Sequence, residues 1–221
     1  VLSGGDDRWA VAYNQDRIIS GQPHQKIASL ADGGLIKLNT QGASYSQLSR
    51  WTDRGELLWQ RTWETSSNYG RMHDIAVLPD GNIIVVGYVS NDLLAVLFDP
   101  DGNVLAENRY DIAGRALIYD PRIIGIANRA AGDFSILVAG HGAISFADFR
   151  MQPFVVSLDE TGEVEWAKGH EVDREMEVAD ALMLEDGRMV LVGQASVPTS
   201  GSLFADAGAL LLLAPDGTCL E

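Results

Sequence analysis

The chain reads as an all-β protein built from four copies of one unit, and three features of the sequence predict this. A turn, Leu78-Pro79-Asp80-Gly81, recurs as Leu30-Ala31-Asp32-Gly33 and Leu184-Glu185-Asp186-Gly187, each time ahead of an apolar run. The three glycines stand 48 and 106 residues apart, the longer interval being about two units with a worn copy at Ala131-Gly132-Asp133 between them. No segment carries a long apolar period of the 3.6 residues that a helix requires. A unit of roughly 50 residues is the length of one four-stranded propeller blade. The expected architecture is therefore a β-propeller of four blades, each of four antiparallel strands.

The units justify themselves in order. Unit one runs from Ile27 through strands at 34–38 and 47–51, the turn Asp53-Arg54-Gly55, and a strand at 56–59. Unit two is the cleanest: strands at 74–78, 82–87, 93–98 and 103–110, with turns at Asp80-Gly81 and Asp99-Pro100-Asp101-Gly102. Asp-Gly between β-rich runs is a strong hairpin signal, because glycine accepts positive φ and aspartate tolerates it. Unit three has strands at 123–127, 134–140, 154–158 and 163–166, with the turn Asp159-Glu160-Thr161-Gly162. Unit four has strands at 179–184, 189–193 and 209–213, then Ala214-Pro215-Asp216-Gly217. Its fourth strand is missing from the tail. The segment Arg8-Trp9-Ala10-Val11-Ala12-Tyr13 has the position and composition of that strand. One domain is thus expected over residues 1–221, with blades at about 25–63, 73–111, 123–168 and 178–221 plus 7–14. Pairing of the N-terminal segment with strand 209–213 would close the ring and hide its edges. The alternative is a fragment of a larger propeller.

Composition agrees with a single globular domain: 46% hydrophobic, 21% charged and 23 glycines for turns. No apolar run approaches the ~18 residues that span a bilayer, so membrane insertion is not expected. The net charge of −15, with only three lysines, argues against nucleic acid, which is bound through clustered positive charge. The single cysteine, Cys219, excludes an internal disulfide framework, is expected to be a small packing residue, and has no identifiable base.

Candidate sites fall into two groups. Aligning the units through their turn glycines places Lys26, Asp74 and Asp180 at one level of the first strands, with His73 one residue earlier and Gly125 as the counterpart in unit three. Asp74, Asp180 and His73 near a central pore form a candidate metal set for Ca2+ or another divalent cation. No other cofactor is expected, and no residue is singled out as catalytic. The second group lies in two long inserts, residues 140–153 and 194–207, expected as neighbouring rim loops. There His141, Phe146, Phe149, Arg150, Met151 and Phe204 are candidate anchors for a protein or glycan partner. His24, His141 and His170 read as surface or loop residues. No nucleophile-elbow or P-loop sequence is present.

The pattern Asp-x-Ala-x-x-x-x-Asp-Gly followed by an apolar strand ending in Gly, at 74–87 and 180–193, resembles the bacterial β-propeller repeats of large secreted and cell-surface proteins. So does the turn leading to tryptophan at 51–59 and 158–166. The likeness covers nearly the whole chain in four copies, departing where unit two has Ala106 in place of tryptophan and unit three lacks the Asp-Gly pair. It implies a propeller and an extracytoplasmic bacterial setting; assembly into a larger complex is a further expectation. Trp59 and Trp166 are also similar to the Gly-x-x-x-Trp docking element of quinoprotein propellers. A chain this short cannot supply that ring, so both tryptophans are expected to pack between blades. The expected function is a non-catalytic binding or assembly module working through its rim loops. The alternatives are a metal-dependent hydrolase with an axial site, or a purely structural unit of a surface protein.

Overall fold

The computed structural model describes residues 24–41, 45–64, 70–112, 117–129, 133–143, 150–172, 175–198 and 204–220. Every described element is a strand or a turn, and the strands form four separate antiparallel sheets. Blade one holds β1 (His24–Ser29), β2 (Leu35–Gln41), β3 (Tyr45–Trp51) and β4 (Leu57–Glu64). Blade two holds β5 (Gly70–Val77), β6 (Ile83–Val89), β7 (Asp92–Phe98) and β8 (Val104–Tyr110). Blade three holds β9 (Leu117–Asn128), β10 (Phe134–Ala143), β11 (Met151–Leu158) and β12 (Val164–Gly169). Blade four holds β13 (Met176–Met183), β14 (Met189–Pro198) and β15 (Phe204–Leu213) in a three-stranded sheet. Beyond its last turn the chain doubles back: Cys219 bridges Leu213, and the Leu220 N–H donates to the Leu212 carbonyl at 2.9 Å. The segment expected to close the ring, residues 7–14, lies outside the described residues.

The recurring turn forms as its chemistry requires. In blade two the Gly81 N–H donates to the Leu78 carbonyl at 2.9 Å, with Gly81 at φ 89°, and the Asp80 carboxylate accepts the Asn82 N–H at 2.9 Å. Asp32 and Asp186 repeat this bond to Gly34 and Arg188. An aspartate that caps its own turn and a glycine that accepts left-handed backbone fix each hairpin's register.

The blades stand face to face, and the core lies between them. Successive residues of a strand point to opposite faces. Ile83 and Val85 of β6 therefore pack with Ile36, Leu38 and Leu48 of blade one, while Ile84 and Val86 pack with Ile136, Val138 and Phe154 of blade three. A third cluster joins Leu137, Ala139 and Val155 of blade three to Met189, Leu191 and Leu213 of blade four. Inner strands buried on both sides read as continuous apolar runs for this reason.

The outer strands add a second joint, and both tryptophans serve it as expected. Trp59 of β4 lies against Gly102 in the last turn of blade two, and its Nε1–H donates to the Pro100 carbonyl at 3.0 Å. Trp166 of β12 covers Gly217 of blade four in the same way. Blade two, with Ala106 at this place, uses other donors: Tyr110 Oη donates to the Gly162 carbonyl at 2.8 Å and Asn108 Nδ2 reaches the Thr161 carbonyl at 3.5 Å. Burial pushes the Tyr110 phenol up to about 12.

Three expectations are corrected. Much of residues 140–153 and 194–207 continues the hairpins, with pairs such as Gly142↔Gln152 and Ala195↔Ala207. Strand pairing across the hairpin overrides their Gly, Ser and Ala content. His141 and His170 are buried, not surface residues, because His141 stands in β10 and the His170 N–H donates back to the Pro153 carbonyl at 2.9 Å. Cys219 is exposed and not a packing residue, and it has a base within reach: its Sγ lies 3.3 Å from His170 Nδ1.

The joint gives a direct test. Trp59→Ala removes an aromatic contact and a hydrogen bond and should cost about 3 kcal/mol. Gly102→Ala forces a Cβ into φ 79° and within 3.0 Å of the Trp59 ring, and should cost about 2 kcal/mol. Urea unfolding of the single and double variants should show strong non-additivity, since both act on one contact.

Candidate functional site

The axial residues are set by a recurrent irregularity at the start of the first strands. In β5 an extra residue, His73, interrupts pairing between Met72 and Asp74, and in β13 Ala179 does the same between Val178 and Asp180. The partner strand supplies glycine at that level, Gly87 and Gly193, whose added Cβ would collide with the Arg71 and Glu177 carbonyl oxygens. Blade three has Gly140 there, opposite an irregular stretch containing Asp120 and Pro121. A bulge bends its strand and re-aims side chains, which here turns the next residue toward the axis.

Register then identifies the axial level. Lys26 pairs with Leu38, Asp74 with Val86, Arg122 with Ala139 and Asp180 with Val192. Val86, Ala139 and Val192 each immediately precede one of these glycines, and Leu38 stands as far past Gly33 as Val86 past Gly81. The blade-three counterpart is thus Arg122 and not Gly125, which instead packs on Met183 of blade four. The four axial positions alternate in sign. Lys26 Nζ lies 3.6 Å from Asp74 Oδ1, and Arg122 Nη1 lies 3.8 Å from Asp180 Oδ1. Asp74 Oδ2 also accepts the Ile123 N–H of blade three at 2.9 Å, so its carboxylate ties three blades together.

The candidate metal set is placed differently from the expectation. Asp74 and Asp180 are each engaged by a cation of the preceding blade, and His73 Nδ1 lies 3.3 Å from Asp120 Oδ1. Among the described residues no group of three or more His, Cys, Asp or Glu is placed to hold a metal ion.

Just beyond that level lies a row of rings across the junction of blades two and three. His73 stacks on Tyr88 at 5.4 Å, Tyr88 meets Tyr119 edge-on at 6.2 Å, and Tyr119 stacks on His141 at 6.1 Å. The Val178 N–H of blade four donates to His141 Nδ1 at 3.1 Å, which requires that nitrogen to be unprotonated. Burial lowers the His141 pKa, so the ring is neutral at pH 7. Beside this row stands Asp120, whose side chain is 40% exposed. Its φ is 46°, although the next residue, Pro121, disfavours any but extended backbone before it. The other described non-glycine residue with positive φ, Ser90, sits in the short turn between β6 and β7. Asp120 interrupts a strand, and so its strain has no turn to account for it.

The remaining sequence candidates disperse. His141 is part of the buried ring row and not a rim anchor. Arg150 is exposed just ahead of β11, and Met151 begins that strand, its N–H reaching Glu175 Oε1 at 3.4 Å. Phe146 and Phe149 lie outside the described residues, as does the side chain of Phe204, whose backbone opens β15. Sequence reasoning missed Asp120, Arg122, Tyr88 and Tyr119. Only the position of Asp120 before a proline, inside an apolar run, could have flagged it.

No protein-family model matches the chain, and no curated protein does. Solved structures resemble it in fold. An α-L-arabinanase of Penicillium chrysogenum complexed with arabinobiose has a TM-score of 0.57 at 11% identity, covering 93% of this chain and 67% of that one. A mutant apocarotenoid oxygenase of Synechocystis has a TM-score of 0.51 at 16% identity, covering 90% of this chain and 49% of that one. A Bacteroides caccae protein of unknown function has a TM-score of 0.38 at 13% identity, covering 88% and 78%. The chain thus spans about half the length of the oxygenase. At these identities the likeness defines the fold: the chain is an all-β protein of the propeller type. The expectation of a non-catalytic rim-loop module is overturned by it, since the neighbours with the higher scores are named as enzymes. The burial of His141 removes one of its anchors.

The lowered pKa of His141 fixes a pH dependence. The unfolded chain takes up a proton near pH ~6.5, where the folded chain does not, so stability rises with pH through that range and is lost as pH falls below it. Thermal melts from about pH 7 to 5 should show this loss, and His141→Gln, which keeps an acceptor for the Val178 N–H, should flatten the profile.

Proposed function

We propose that the chain is a hydrolytic enzyme acting on a polar, sugar-type substrate at the end of the propeller axis, with the Asp120 carboxylate as its general base. The observation that carries this reading is the backbone of Asp120. A left-handed residue before a proline costs on the order of 1–3 kcal/mol, and such strain persists where a side chain is held for use. Asp120 is the exposed member of its cluster, while its partner His73 is buried and holds one carboxylate oxygen in place. With its side chain 40% exposed, the carboxylate can take a proton from an attacking water. Tyr88 and Tyr119 supply aromatic walls beside it, and Arg122 and Asp180 supply polar groups on the axis side. Aromatic faces next to charged groups suit the mixed apolar and hydroxylated surface of a sugar ring. The fold likeness to an arabinanase with bound arabinobiose supports the same substrate class. The resemblance of the blade motifs to secreted bacterial repeats supports a place outside the cytoplasm.

The test separates use from strain. Release of reducing ends should be followed on arabino-oligosaccharides and a panel of other oligosaccharides. Asp120→Asn should lower turnover by about 100-fold or more with the melting temperature unchanged. Asp120→Gly should abolish turnover yet raise stability by about 1 kcal/mol, because glycine relieves the strain. Wild-type activity that survives Asp120→Asn, or no turnover on any sugar of the panel, defeats the reading.

A further inference from the structure

Blade four repeats the construction of blades two and three on both faces. One face is buried against blade three through Met189, Leu191 and Leu213. The other carries Leu182, Val190, Val192, Leu210 and Leu212, since Leu182 and Leu212 pair with Val190, and Leu210 pairs with Val192. Directly paired residues share a face. The same register positions in blade two are Ala76, Ile84, Val86, Ala95 and Leu97, which pack on blade three. In blade three they include Leu137, Ala139 and Val155, which pack on blade four. On blade four, by contrast, Leu210 is 69% exposed, Leu182 50% and Val192 38%. An apolar face of this kind is what a neighbouring sheet covers elsewhere in the same molecule.

The axis carries an independent sign of the same thing. Each axial side chain reaches forward to the next blade: Lys26 to Asp74, Asp74 to the Ile123 N–H, Arg122 to Asp180. Asp180 stands where Asp74 stands, with the same residue type after the same bulge. Yet the Asp74 side chain is 13% exposed and that of Asp180 is 77% exposed. Among the described residues no following blade fills, beside Asp180, the place that blade three fills beside Asp74.

Blade one does not offer the matching surface. Its face turned away from blade two carries Lys37, Gln47 and Ser49, where blade two has Val85, Leu94 and Val96, and Lys37 and Ser49 are already buried, 7% and 4% exposed. Closing blade four onto that face would set a lysine and two polar side chains against leucine and valine. We propose that blade four is covered by a fifth propeller blade, carried by polypeptide additional to these 221 residues. Its facing strands would be apolar at every second position, and its first strand would present a backbone N–H or a cation to Asp180.

The experiment uses the 221-residue chain and the variant Val192→Thr/Leu210→Gln. The chain should be monomeric by light scattering and should enhance 1-anilinonaphthalene-8-sulfonate fluorescence. The double variant should lose most of that enhancement with no fall in melting temperature. A second chain, carrying a copy of residues 65–112 (blade two, with Ile75, Val85, Leu94 and Val96 facing back) after Glu221, should melt about 5 °C or more higher. That gain should vanish when Leu210→Gln is added. Absence of dye binding, or a lower melting temperature in the double variant, means the face is already covered and overturns the proposal. A discrete dimer that Leu210→Gln dissociates overturns it in favour of a second copy. An appended blade that leaves the melting temperature unchanged overturns it as well.

Discussion

Everything in this structure depends on one constraint: no sheet has a core of its own. A single small antiparallel sheet with two apolar faces is not stable in water, and each blade becomes stable only when its neighbour removes a face from solvent. The interdigitated clusters between blades one and two, and between two and three, share the alternate residues of β6 and draw it into both. At ~25 cal/mol per Å2 of apolar surface, this covering is the dominant favourable contribution to folding. Neighbour-only packing also makes the array nearly one-dimensional, so its stability accumulates blade by blade.

Two smaller devices keep the sheets in register with one another. On the outside, a ring or a hydroxyl from one blade rests on the last turn of the next, where glycine alone leaves room for Trp59 or Trp166. Blade two does the same work with Tyr110 and Asn108, which shows that the joint is defined by geometry and not by residue type. On the inside, the bulges opposite Gly87 and Gly193 turn Asp74 and Asp180 onto the axis, where cations of the preceding blades meet them. The largely buried Asp74 carboxylate is tolerated there because it is paired and hydrogen-bonded. The same irregularity in blade three contains Asp120, so the proposed site grows out of the device that orders the axis.

The all-β class, the four units and nearly every hairpin were legible in the sequence. Asp-Gly turns and period-two apolar runs are local signals, and local backbone chemistry decides them. The inter-blade role of Trp59 and Trp166 followed from the resemblance of their surroundings to the Gly-x-x-x-Trp docking element of quinoprotein propellers. Loops at 140–153 and 194–207 were misjudged because small polar residues read as loop until a partner strand is known to lie across from them. Gly125 was aligned with the axial residues, and Arg122 overlooked, because two irregularities in β9 shift its register in a way no spacing rule follows.

Local chemistry along the chain was thus sufficient to specify strands, turns and repeat length, because each is settled within a few residues of backbone. Which side chains meet was decided only by the packing of whole sheets. His73 and Asp120 are 47 positions apart and belong to different blades. Cys219 and His170 are brought together across two sheets, and Leu210 stands exposed on a face whose counterparts in blades two and three are covered. These relations depend on bulges, twist and neighbour order, quantities that belong to the assembled sheets and have no signature in any one stretch of residues.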